Sequence, residues 1–170
     1  MRLFIKLTLL LLLLFISTVS CQSQNTAIEN QAIHKVLDSW HQAAKDANFE
    51  NYFNLMSENA VFIGTDATEN WTKKEFQAYA KPHFDKGKAW SFSSLERNIY
   101  FSEDKKTAWF DELLDTQMKI CRGSGVLTKV KNNWKITHYV LSMSIPNELS
   151  NEIIKLKTPS DHKLIQVLKK

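Results

Sequence analysis

Asp111 and Glu112 stand side by side in an otherwise apolar stretch, Thr107 to Thr116, among Trp109, Phe110, Leu113 and Leu114. Strand alternation puts Asp111 on one face and Glu112 on the other. Both faces are apolar, so an inward carboxylate needs a compensating cation to stay ionised at its ordinary pKa. Arg122, at the start of the next such stretch, is the expected cation, its planar fork suited to Glu112 or Asp111. His138 shares the phase of Trp134, Ile136 and Val140 and is the candidate base near neutral pH. Together, Glu112 (or Asp111), Arg122 and His138 read as a proton-transfer set, with a carboxylate base and two groups that stabilise developing charge. The same residues also read as a buried Arg–carboxylate pair that orders a wall, beside a satisfied core histidine. A second group lies upstream. Glu69 and Trp71 follow a short apolar strand and precede a helix start, so they are expected at the mouth of a cavity. Their structural alternatives are an anion near a helix N-terminus and a hydrophobic staple. Trp109, Asp111 and Ser124 complete the expected ligand contacts.

Other chemistries leave no trace in the spacing. The five histidines are scattered, with no HxxxH pattern, so no metal site is expected. His83 and Asp85 are alternative rim residues on a helix, while His34, His41 and His162 read as solvent-facing. Gly123-Ser124-Gly125 precedes no helix and so is no phosphate loop. Two glycines in a strand instead mark a bend or a close approach, which would suit a tryptophan laid across the sheet. No serine-centred nucleophile elbow and no cofactor motif occur.

The elements that must position these residues follow from periodicity. Glu29 to Asp46 carries Ile33, Val36, Leu37, Trp40, Ala43, Ala44 and Ala47 at helical steps. A short helix fits Phe49 to Met56, and Ala60 to Gly64 reads as a strand. Thr72-Lys73-Lys74-Glu75 is a capping-box pattern, so a helix starts after Thr72, with Pro82 kinking it and Gly87 ending it. The period then changes to two. Trp90 to Tyr100, Thr107 to Thr116, Arg122 to Val130 and Trp134 to Ile145 read as four consecutive strands. Asn147 to Lys157 is expected to be helical, and Ser160 to Leu168 either a further helix or a frayed basic tail. Helices, a strand, a helix and then a run of strands predict α+β: a curved antiparallel β-sheet wrapped around N-terminal helices. A twisted sheet of this kind curls and leaves a conical space.

Composition bounds the partners. Apolar residues make up 44% and charged residues 24%, as expected of one globular domain. The net charge of +4 suggests nucleic acid, but Arg2 and Lys6 lie in a leader, and Lys155, Lys157, Lys163, Lys169 and Lys170 crowd the C-terminus. The body between is slightly acidic, which excludes a phosphate-gripping surface. Residues 1–20 read as an export signal: a positive start, then Leu7 to Ile16, too short for a bilayer span of about 20 residues. Thr18-Val19-Ser20-Cys21 resembles a bacterial lipobox, with Thr18 in place of the usual leucine. Cys21 would then carry a lipid, residues 21–27 would form a tether, and Cys121 would be a lone thiol. Cleavage without lipidation would give a free periplasmic or secreted protein, in which a Cys21–Cys121 bridge becomes available.

Specific words in the chain resemble the SnoaL-like branch of the nuclear transport factor two-like superfamily. They are Val61 to Trp71, Ala108 to Glu112, Cys121 to Leu127, Trp134 to Tyr139 and Ile145 to Glu148, spanning residues 28–150. The resemblance implies a cone-shaped α+β barrel, often dimeric through the outer surface of its sheet. It implies no single activity, because such domains include isomerases, dehydratases, hydrolases, binding proteins and assembly modules. Three functions are therefore carried forward. The first is binding of a small, partly apolar ligand in a conical pocket of a cell-envelope protein. The second is a proton-transfer enzyme, and the third a homodimerisation module.

Overall fold

A computed structural model describes residues 26–169. The expected leader, Cys21 and most of the tether lie outside these residues. Helix α1 spans residues 26–45 and buries Ile33, Leu37, Trp40, His41 and Ala44 along one stripe. Ala47, at φ 51°, turns the chain back into α2 (Phe49–Asn54), whose N-cap Asn48 accepts from the Asn51 amide. Strand β1 (Met56–Ile63) follows directly, so Met56 begins a strand and does not end the helix. A turn closed by the Gly64 amide donating to the Glu69 carbonyl leads to β2 (Asn70–Thr72). Helix α3 (Lys73–Asp85) starts on the expected capping box of Thr72 and Glu75. Pro82 lies in its last turn, and Gly87, at φ 69°, ends the turn that follows.

Four strands then run as a meander: β3 (Phe92–Phe101), β4 (Thr107–Thr116), β5 (Lys119–Val130) and β6 (Asn133–Met143). Gln117 and Met118 form the tight turn between β4 and β5. The sheet order is β2-β1-β6-β5-β4-β3. Its pairings are antiparallel except for β1 with β6, which is parallel, so the sheet is mixed. The cause is topological: α3 and four strands intervene between β1 and β6, a connection long enough for a parallel return. The sheet curves without closing, and α1, α2 and α3 fill its concave side, which gives the expected cone-shaped α+β fold. Trp40, Tyr52, Phe62, Phe76 and Tyr139 meet at its centre. After a short 3-10 turn (Asn147–Leu149), α4 (Ser150–Leu168) is one continuous helix through Pro159 and buries no residue.

Two irregularities decide what faces the inside of the cone. The β3–β4 register shifts between Ser94 and Glu96, leaving Leu95 as an extra residue. The β5–β6 register shifts between Val126 and Leu127, leaving Thr137 as the extra residue on β6. Each bulge moves the rest of its strand by one position, and with a period of two that exchanges the faces.

Candidate functional site

Glu112 points into the cone from the middle of β4, and its side chain is wholly shielded from solvent. The bulge at Leu95 turns Arg97 inward directly opposite it. Arg97 Nε donates to Glu112 Oε2 at 2.9 Å, and Nη2 lies 2.9 Å from the same oxygen, off the line of a hydrogen bond. The bulge at Thr137 turns Tyr139 inward, where its hydroxyl donates to Oε1 at 3.3 Å. Helix α1 supplies His41, whose Nε2 lies 2.9 Å from Oε1. An ionised carboxylate only accepts, so this Nε2 carries the proton. Arg97 Nη1 reaches outward to Asp38 at 2.8 Å and to His34 Nδ1 at 3.2 Å. Burial pushes the Glu112 carboxyl up, but the His41 and Arg97 hydrogen bonds and charges outweigh it and hold the group below its ordinary range. Burial, reinforced by the neighbouring carboxylate, raises the Tyr139 phenol well above its usual value, so it remains a donor.

Glycine makes the space for this network. A Cβ at Gly123 would lie 2.3 Å from the Tyr139 hydroxyl oxygen, and one at Gly125 would lie 2.4 Å from the His138 carbonyl oxygen and 2.9 Å from the Phe110 ring. The close approach expected at these glycines therefore comes from Tyr139, the His138 backbone and Phe110, and no tryptophan is involved.

The expected partners of Glu112 are elsewhere. Arg122 is exposed on the convex face, 3.5 Å from Asp111, so the Arg–carboxylate pair forms with the other acid and outside the cone. His138 is placed on the convex face too, because the bulge at Thr137 breaks the alternation that linked it to Trp134 and Ile136. Glu112, Arg122 and His138 thus do not converge. Trp109, Asp111 and Ser124 share that convex face, where Trp109 is 47% exposed and stacks on Tyr100 at 6.0 Å. Of the expected ligand contacts, these three stand away from the cone. His83 and Asp85 are exposed on α3.

Glu69 and Trp71 do meet at the mouth. A cavity of about 150 Å³ opens there, lined by the rings of Phe62, Trp71, Phe76, Tyr79, Trp90 and Phe92, with Glu69 as its one charged residue. Trp71 and Phe76 are the N′ and N4 residues of α3 and lie 5.7 Å apart with planes 6° apart, so the staple and the pocket wall are the same ring. Glu69 Oε2 accepts from the Asp66 amide at 3.2 Å and rests against Gly64, where a Cβ would come within 2.1 Å of it. Phe92 separates this cavity from His41, with ring centroids 5.9 Å apart. The larger hollows along the solvent side of α1 are open troughs.

A family model described as a SnoaL-like domain matches residues 33–146, from the buried stripe of α1 to the end of the sheet. The chain belongs to the SnoaL-like family. Solved structures agree on the fold of this SnoaL-like chain. An NTF2-like protein of unknown function from Pseudomonas putida KT2440 is 15% identical over 72% of this chain and 91% of its own, with a TM-score of 0.59. A candidate scytalone dehydratase from Novosphingobium aromaticivorans is 12% identical over 72% and 89%, with a TM-score of 0.63. The association domain of C. elegans CaMKII is 18% identical over 69% and 97%, with a TM-score of 0.57. No curated protein matches the sequence.

The residues that sequence reasoning missed in this SnoaL-like cone are His41, Arg97 and Tyr139. His41 was legible: it lies four residues after Leu37 and three before Ala44, on the buried stripe of α1. Arg97 and Tyr139 were not, because each faces inward only through a bulge.

Proposed function

We propose that this SnoaL-like protein binds a small, largely apolar molecule at the mouth of its cone. The observation that carries the reading is the aromatic cavity of about 150 Å³ with a single carboxylate at its rim. Aromatic walls with few fixed polar groups suit such a ligand. Proton-transfer catalysis is the weaker reading. One similar structure is a candidate scytalone dehydratase, and such chemistry needs an acid or base that reaches the substrate. Here Glu112 is 1% exposed, His41 is 5% exposed, and both oxygens of Glu112 are already occupied. The buried network is better suited to holding α1 against the sheet, which keeps the cone in shape. Native mass spectrometry of protein purified from its own host tests the binding reading. A bound small molecule that is lost in Trp71→Ala is the expected result, and a consistently empty protein would refute it.

The same proposal places the protein in the cell envelope. Its support is the leader of Met1 to Ser20 and the lipobox-like Thr18 to Cys21. Incorporation of labelled palmitate that disappears in Cys21→Ser is expected, and an unlabelled wild type would remove the lipid anchor. A homodimer through the convex face completes the reading, supported by the exposed Trp109 and Tyr100.

A further inference from the structure

The charge at the cone mouth is one-sided. Among the residues lining the cavity Glu69 is the one ionisable carboxylate, and no lysine, arginine or histidine joins it. Its position is built: Oε2 is fixed by the Asp66 amide, and the carboxylate occupies space that any residue larger than glycine at position 64 would take. Oε1 has no hydrogen-bond partner among the described residues and is free to accept. Three nearby lysines are committed to other groups. Lys73 holds Glu58 and the Met56 carbonyl, Lys81 holds Asp85, and Lys157 holds Asp161. Arg97 and Arg122 serve the cone interior and the convex face.

Around this carboxylate stand six aromatic rings, among them Trp71 and Trp90. Ring faces carry negative potential and attract a desolvated cation, tryptophan most strongly. A carboxylate ligand would meet Glu69 with no counter-charge and would lose its hydration among rings. The volume sets the size. Pockets for drug-sized ligands measure about 300–1,000 Å³, so a cavity near 150 Å³ admits one ring with a short substituent.

We infer that the mouth cavity selects small organic ammonium ions, the ammonium group against Glu69 and its apolar or aromatic body against Trp71, Phe76 and Trp90. The inference rests on the binding reading above and adds the charge of the ligand to it. Arg122, the cation that could have drawn an acidic ligand, lies outside the cone.

Three probes of one size separate the possibilities: benzylammonium, benzyl alcohol and benzoate. Each is titrated into the protein while the indole N–H resonances of the tryptophans are followed. Benzylammonium is expected to bind at least about tenfold more tightly than benzyl alcohol, a difference of about 1.4 kcal/mol, with benzoate weakest. Glu69→Gln is expected to abolish that preference by weakening benzylammonium far more than benzyl alcohol. Equal or tighter binding of the alcohol or of benzoate overturns the inference and leaves the binding reading standing. A preference that survives in Glu69→Gln overturns it likewise. If none of the three probes shifts the Trp71 and Trp90 signals, the binding reading itself fails, and the inference falls with it.

Discussion

Replacing Arg97 with methionine would strand the Glu112 carboxylate. The guanidinium side chain is 3% exposed and the carboxylate side chain 0%, so no water can replace the lost partner without opening the cone. Removing one member of such a buried pair costs about 3–5 kcal/mol, most of it the penalty for the uncompensated charge. Arg97 also loses Asp38, but that carboxylate is 64% exposed and contributes under about 1 kcal/mol. For a domain of this size the melting temperature should fall by about 2–4 °C per kcal/mol, hence about 10 °C in all. The pH dependence has a definite sign. In the wild type the Glu112 carboxyl lies below its unfolded value of 4.5, so its contribution is present above that pH and is lost as pH falls through the folded value. Without Arg97, burial is opposed only by His41 and the Tyr139 hydroxyl, and the folded pKa rises. The deficit of Arg97→Met is then largest near neutral pH and shrinks toward pH 4.5. Urea unfolding of the wild type, Arg97→Met, Glu112→Gln and the double variant measures both effects. The double variant should lose less than the sum of the singles by more than about 1 kcal/mol, because the second change removes the stranded charge. A loss under about 1 kcal/mol in Arg97→Met at neutral pH, or strict additivity, would refute the reasoning.

Two further outcomes follow from the same geometry. Gly123→Ala drives a methyl group to 2.3 Å from the Tyr139 hydroxyl, whose ring cannot swing out of the core, so a loss of about 1–3 kcal/mol is expected. Thermal unfolding and near-ultraviolet circular dichroism should both change, and an unaltered aromatic spectrum at wild-type stability would show that Tyr139 is not held there. On the convex face, sedimentation should find a dimer that Trp109→Ser converts to monomer; a wild-type monomer at high concentration would remove the dimer.

Much of the architecture could be read from local signals. The stripe of α1, the capping box at Thr72 and the limits of β4 at Thr107 and Thr116 all stand where spacing puts them. The reason is physical: helix and strand periods and cap hydrogen bonds involve neighbours in the chain, so they survive without knowledge of the fold. Glu112 was assigned to one face of β4 by the same rule, but the rule could not say which face was concave. The parallel return of β6 onto β1 was equally illegible, since pairing partners are chosen across long stretches of chain.

Sequence by itself determined most of the helices and strands and the family resemblance that the family match upholds. Tertiary structure decided which charges meet. Arg97 and Tyr139 reach Glu112, and His138 does not, because single extra residues at Leu95 and Thr137 exchange the faces of β3 and β6 partway along. A bulge is set by the register of the partner strand and by what must fit behind it, here Tyr139 over Gly123. No periodicity within one strand records that. The same holds at the cone mouth, where Glu69 and Trp71 become one wall of a cavity only after α3 folds back over β1 and the loop before β3 brings Trp90 across to close it.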